Sequence, residues 1–190
     1  MTESRRSLDA LLGQADTTSA SVTAHLESLE PAARVQAATR LGRAAAARLW
    51  SLSTDSPIAL TDIVAPDAVP LEAVAWQGQN NLPVLRSFRK VFYRTSTGVI
   101  GGYNDSPARW FAGPGYFSVE QHGPSVVINY VDLPTEKPEG FPPIRSNGSG
   151  MASKVYGDMV DHLRSVARGV YVGRAHKGGT PTENYFVIAR

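Results

Sequence analysis

All sixteen aromatic residues, from Trp50 to Phe186, lie beyond residue 49 of a 190-residue chain, together with most of its glycines and prolines. Alanine dominates the earlier part, where only Gly13, Pro31 and Gly42 interrupt it. Alanine favours helix, aromatic residues suit a pleated surface, and glycine and proline punctuate turns. The expected fold class is therefore α+β: N-terminal helices over 1–54, then an antiparallel β-barrel or strongly curved sheet of about seven or eight strands over 55–190. At this length a single domain with one shared core buries roughly 70% of the surface of its unfolded form.

In the first part, Pro31 suits an initial helical position, and Val35, Ala38, Leu41, Ala45, Leu49 and Leu52 recur at steps of three and four. That stripe predicts one long helix with Arg34, Arg40, Arg43 and Arg48 turned to water. Shorter helices are expected over 7–12, with Ser7 as N-cap, and over 20–29. In the second part, strands are expected over 71–77, 87–94, 99–104, 116–122, 126–131 and 184–189. The stretch 154–166 fits both a helical stripe and a strand. Gly169 favours a hairpin of 160–166 with 170–177, because a three-residue loop places glycine where left-handed geometry is needed. Between these elements, 133–150 holds four prolines and three glycines and is expected to be an irregular loop, either a lid over a binding site or a surface excursion.

Strands of this number joined by short connections close readily into a barrel, which removes exposed edges. The run DHLRSVARGVYVGRA over 161–175, followed by ENYFVI over 183–188, resembles the closing strands of calycin-like bacterial barrels, the broad group of lipocalin-type ligand binders. The resemblance covers the last third of the chain. It implies a barrel that holds a small hydrophobic or amphipathic, lipid-like molecule. The Gly-x-Trp-x-Gly signature of several such groups is absent; RWFAG over 109–113 approaches it.

Composition removes several chemistries. There is no cysteine, which excludes disulfides, thiolate metal sites, iron–sulfur clusters and cysteine nucleophiles. The four histidines, His25, His122, His162 and His176, show no metal-ligand spacing, so no metal is expected. Neither a phosphate-binding glycine loop nor a Gly-x-Ser-x-Gly elbow occurs, and no cofactor is expected. No apolar run reaches the ~20 residues of a membrane span, and the opening residues, with Arg5 and Arg6, lack a signal-peptide core. A cytoplasmic location is expected. A net charge of +2 does not call for a polyanionic partner.

Three functions remain. Tyr103, Asn104, Tyr116, Asn129, Tyr130, Arg164 and Arg174 are polar side chains set into apolar strands, and Arg89 stands in a basic, aromatic one. A barrel interior cannot bury such groups unpaired, so they pair with each other or with a guest. The first reading places a guest among Phe117, Val119, Val126 and Ile128, with its anionic or carbonyl end on Arg89 or Arg174. The second is a cofactor-independent cyclase or isomerase using the same pocket. The third is single-stranded nucleic-acid binding through 86–94, where Arg86, Arg89, Lys90 and Arg94 interleave with Phe88, Phe92 and Tyr93. In that strand Phe88, Lys90, Phe92 and Arg94 share one face, and a lysine snorkelling from an apolar face explains the pattern without function.

Overall fold

The computed structural model describes residues 7–53, 56–83, 86–107 and 109–190; Arg5 and Arg6 lie outside them. Eight antiparallel strands follow one another round a closed barrel: β1 (Val74–Asn80), β2 (Ser87–Arg94), β3 (Ile100–Asp105), β4 (Phe117–His122), β5 (Ser125–Asn129), β6 (Met159–Ala167), β7 (Val170–Lys177) and β8 (Thr180–Ala189), which pairs back onto β1. The expected architecture of helices before a barrel is the observed one, compatible with a calycin-like fold. The 160–177 hairpin forms as expected, with Gly169 at φ +73° in its turn.

An eight-stranded bore is just wide enough for side chains to fill it. Here the filling is aromatic. Trp76, Phe92, Phe117, Tyr130, Tyr171 and Phe186 belong to one buried cluster with Val119, Val126, Ile128, Leu163 and Ile188. The rings fit because glycines face them across the strands: Gly78 opposite Phe88, Gly102 opposite Phe117, Gly173 opposite Phe186. A methyl group at these glycines would come within 2.5, 2.5 and 2.1 Å of the facing ring.

The lower rim, where the even-numbered strands end, is plugged by Ile58 and by α5 (Leu60–Ile63), whose Ile63 carbonyl accepts from Trp76 Nε1 at 3.3 Å. The upper rim carries α6 (Arg109–Ala112) in the β3–β4 connection and α7 (Gly150–Tyr156) in the β5–β6 connection. Tyr156 closes the bore there, stacked on Tyr130 with 5.4 Å between ring centres. Neither α5, α6 nor α7 was expected, since four to seven residues are too short for a periodic signal.

Outside the wall, α1 (Leu8–Leu12), α2 (Ser19–Glu27), α3 (Pro31–Ala38) and α4 (Arg43–Leu52) bury Val22, Leu26, Leu49 and Trp50 against Val170, Val172, Tyr185 and Val187. Ser7 caps α1 as expected, accepting from the Ala10 amide. The single long helix is in fact two, α3 and α4. Gly42 adopts an extended conformation and donates its N–H to Asp9 Oδ1 at 2.8 Å, while Leu41 stays buried and so continues the apolar stripe through the break. Arg34, expected in water, is buried: its guanidinium donates to the carbonyls of Leu26, Leu29 and Arg168, tying the end of α2 to the β6–β7 turn.

The proline-rich segment is irregular until α7 begins, but it is no lid over the bore. It lies on the outer face of β2 and β3, where Leu133, Phe141 and Ile144 cover Val91, Tyr93, Tyr103 and Tyr116. Tyrosine hydroxyls fasten it: Tyr93 donates to the Glu136 carbonyl at 2.7 Å and Tyr116 to the Pro142 carbonyl at 2.6 Å. Asn147 Nδ2 completes the attachment by donating to the carbonyls of Tyr116 and Tyr130. No described helix is long and apolar enough to cross a membrane.

Gly173→Ala is expected to lower stability by about 1–3 kcal/mol, because the added methyl overlaps the Phe186 ring. Gly148→Ala, whose methyl meets nothing closer than 3.6 Å, should be near neutral. Urea denaturation of the two variants checks this, and equal midpoints would contradict the proposed packing.

Candidate functional site

Two polar groupings stand out, one inside the bore and one on its upper rim. The first follows from strand alternation. On β2 the inward positions are Phe88, Lys90 and Phe92, because β2 pairs Lys90 with Trp76 on one side and Asn104 on the other. Lys90 is only 2% exposed. Its ammonium donates to Asn104 Oδ1 at 3.1 Å, Tyr130 Oη at 2.5 Å and Asp161 Oδ2 at 3.1 Å, which uses all three of its hydrogens. Tyr130 in turn donates to Asp161 Oδ2 at 3.1 Å, and Asn104 Nδ2 donates to Tyr130 and to the Gly115 carbonyl.

The rings that fill the bore also enclose this cation. Phe186, Phe117, Tyr130 and Phe88 have their centres 4.8, 5.1, 5.1 and 5.7 Å from Nζ. Three of them are the rings seated over glycines. Burial lowers the pKa of Lys90 below the ordinary lysine value, and the Asp161 carboxylate draws it part of the way back. Burial and then the Asp161 charge raise Tyr130 well above the usual phenol value, and Tyr156 above it is pushed up to about 12.

The second grouping is a cleft of about 370 Å³ between α6 and the fastened loop, lined by Tyr103, Arg109, Trp110, Pro142, Pro143 and Arg145 among others. Among the described residues no carboxylate lines it. Asp105 holds Arg109 through Oδ1 at 2.6 Å, and the Arg109 guanidinium lies 5.5 Å from the Trp110 ring centre. Arg145 is exposed and joins no ion pair among the described residues. The cleft is thus lined by two aromatic rings and two cations.

Of the side chains expected to hold a guest, only Asn104 and Tyr130 turn into the bore, and they meet there as partners of Lys90. Tyr103 and Tyr116 are buried on the outer face under the loop, Tyr103 also lining the cleft. Asn129 faces outward, donating to Glu120 and accepting from the amides of Val131 and Asp132. Arg164 lies over Trp50 at 3.7 Å and donates to its carbonyl. The two expected anchors are outside the wall and already paired, Arg89 with Asp105 and Arg174 with Glu183. Phe117, Val119, Val126 and Ile128 do face inward, yet they pack on the other rings and aliphatic side chains of the bore.

Sequence reasoning missed Lys90 as a buried group and missed Asp161, Arg109, Trp110 and Arg145 altogether. A signal for Asp161 existed: it shares strand parity with Leu163, which places an acid on the inward face. His162 and His176, on the two strands of one hairpin, bring their ring centres to 4.3 Å across β6 and β7, but no three metal-ligating side chains converge among the described residues. Compared with known protein families and with curated proteins, the chain matches none.

Asp161→Asn is expected to cost about 3–5 kcal/mol, because it leaves the ammonium buried without its counter-charge. The double variant Lys90→Met/Asp161→Leu should cost clearly less, which a double-mutant cycle in urea would register; additive losses would contradict coupling. A second expectation concerns alkali. All seven tyrosines carry folded pKa values raised above the ordinary 10, with burial the first cause in each. Above pH 10 the unfolded chain therefore binds fewer phenolic protons than the folded one, so this stability is present below 10 and is lost as pH rises through the folded values. Lys90 acts in the opposite sense, since its folded value is lowered, but it is one group against seven. Most of the absorbance at the phenolate band should rise together with unfolding, and ionisation of Tyr130 and Tyr156 in the folded protein would contradict it.

Proposed function

We propose that the chain binds a small planar or amphipathic acid in the upper-rim cleft, with the barrel as its rigid support. The observation that carries this reading is the pairing of two aromatic side chains, Tyr103 and Trp110, with two arginines, Arg109 and Arg145, in a concavity lined by no acidic group among the described residues. Its volume of about 370 Å³ falls in the range of small-molecule sites, and such sites combine an apolar lining with a few placed polar groups. Arg109 is pre-set by Asp105, so its orientation is fixed before a ligand arrives. Arg145 can close onto a carboxylate or sulfonate, for which the guanidinium fork is suited.

This retains the small-molecule reading and moves the guest from the bore to the rim. The bore is occupied: its rings pack on one another, and the Lys90–Asp161 pair runs through its middle. The closed eight-stranded barrel is compatible with a calycin-like fold, although the interior guest that this resemblance implies has no room in the packed bore. The cyclase or isomerase reading would find its oxyanion donors in Lys90, Asn104 and Tyr130, but these are spent on one another and on Asp161 beneath Tyr156. The nucleic-acid reading loses its stacking platform, since Phe88 and Phe92 turn into the bore and Tyr93 lies under the loop.

Anilinonaphthalene sulfonate, a flat apolar anion, is a suitable probe. It is expected to bind folded protein saturably, and Arg145→Ala or Trp110→Ala should weaken it about tenfold or more, as loss of a charged hydrogen bond or of ring contact would. Unchanged affinity in both variants, with circular dichroism unaltered, would reject the cleft. Native mass spectrometry of protein purified from its own host then identifies any natural guest.

A further inference from the structure

The upper rim holds a second unexplained feature beside the cleft. Trp110 and Phe111 on α6 are 81% and 79% exposed, and Met151 and Val155 on α7 are also exposed. Large aromatic residues normally find cover, so two adjacent ones left bare on a rim mark an interaction surface. They form one patch: α6 and α7 touch, and Phe111, Ala112, Arg145, Met151 and Ala152 line a shared hollow of about 240 Å³ that again contains no carboxylate. Met151 and Val155 lie one turn apart on α7 with the exposed Lys154 between them. Lys177 reaches the same helix, donating to the Lys154 carbonyl at 3.0 Å.

We infer that the α6–α7 tip docks on an anionic membrane surface, inserting Trp110, Phe111 and Met151 while Arg145, Lys154 and Lys177 face the headgroups. The choice of occupant rests on charge and shape. A bare apolar tip flanked by cations is the arrangement that interfacial segments use, tryptophan preferring the headgroup level. The insertion is shallow, because α6 and α7 are four and seven residues long and are rooted in the rim by Ala112 and Tyr156, both buried in the inner cluster. This surface shares Trp110 and Arg145 with the small-molecule cleft but extends beyond it, because the lining of the cleft includes neither Phe111 nor Met151.

The protein carries its own reporter. Trp50 and Trp76 are buried, so a change in tryptophan emission without a change in circular dichroism comes from Trp110. With phosphatidylcholine–phosphatidylglycerol vesicles, the emission should shift to shorter wavelength and the protein should co-sediment; with pure phosphatidylcholine both effects should be weak. Arg145→Ala/Lys154→Ala should lower partitioning roughly thirty-fold, at about fivefold per cation near the surface. Phe111→Ser/Met151→Ser should abolish co-sedimentation while leaving anilinonaphthalene sulfonate binding intact, which separates this surface from the cleft. Absence of co-sedimentation, equal binding to both vesicle types, or undiminished binding by Phe111→Ser/Met151→Ser overturns the inference. So does sedimentation velocity that shows a dimer dissociated by that double variant, since the patch would then be covered by a second copy.

Discussion

A charge pair spans the bore of this barrel from wall to wall. Lys90 stands on β2 and Asp161 on β6, with three strands between them in either direction round the barrel. Burying two ions is expensive and repays its cost only when the remaining donors and acceptors are satisfied. Asn104 and Tyr130 meet that condition, and the four surrounding rings exclude water from the ammonium. The pair therefore imposes order more than it adds stability. A shift of β2 by one residue would turn Lys90 outward and bring Arg89 or Val91 into the bore, leaving Asp161 uncompensated, so the network fixes registers on opposite walls together.

The same pair explains why the rim, and not the interior, carries the candidate binding surfaces. A bore crossed by an ion pair and packed with rings over Gly78, Gly102 and Gly173 has its space assigned. Polar and apolar groups left over are pushed to the connections at the upper rim. There the fastened proline-rich segment makes one wall of a cleft and α6 makes the other. The segment can serve as a wall because Tyr93 and Tyr116 satisfy two of its carbonyls from below, in a stretch where proline has removed amide donors, and its own Asn147 donates to the Tyr116 and Tyr130 carbonyls of the barrel.

How much of this was legible in the sequence depended on whether the signal was local. The strand at 87–94 was read at its observed bounds, and its alternation correctly grouped Phe88, Lys90 and Phe92 on one face. What that face looked at was not local. Lys90 meets an acid seventy-one positions further on, and nothing in the neighbourhood of either residue announces the other. Hence the strand reads as basic side chains snorkelling from an apolar face, and Arg89 and Arg174 are preferred as anchors although alternation sends them outward. The helix break between Ala38 and Arg43 was hidden for a related reason: Leu41 is buried by tertiary contact and preserves the stripe where the backbone leaves the helix. The cleft was invisible because Tyr103, Trp110 and Arg145 belong to three separate segments.

The seam between β1 and β8 has a consequence for how the molecule comes into being. Roughly a hundred residues separate Asn80 from its partner Phe186, so throughout synthesis one side of β1 has no neighbour. Until the last hairpin arrives, the nascent sheet is an open ribbon with a bare margin at each end, and its aromatic lining faces solvent. Closure is then a long-range event with a large loop entropy to overcome, which makes the final seam the slow step of assembly and the interval before it the one in which the chain most needs protection from its neighbours.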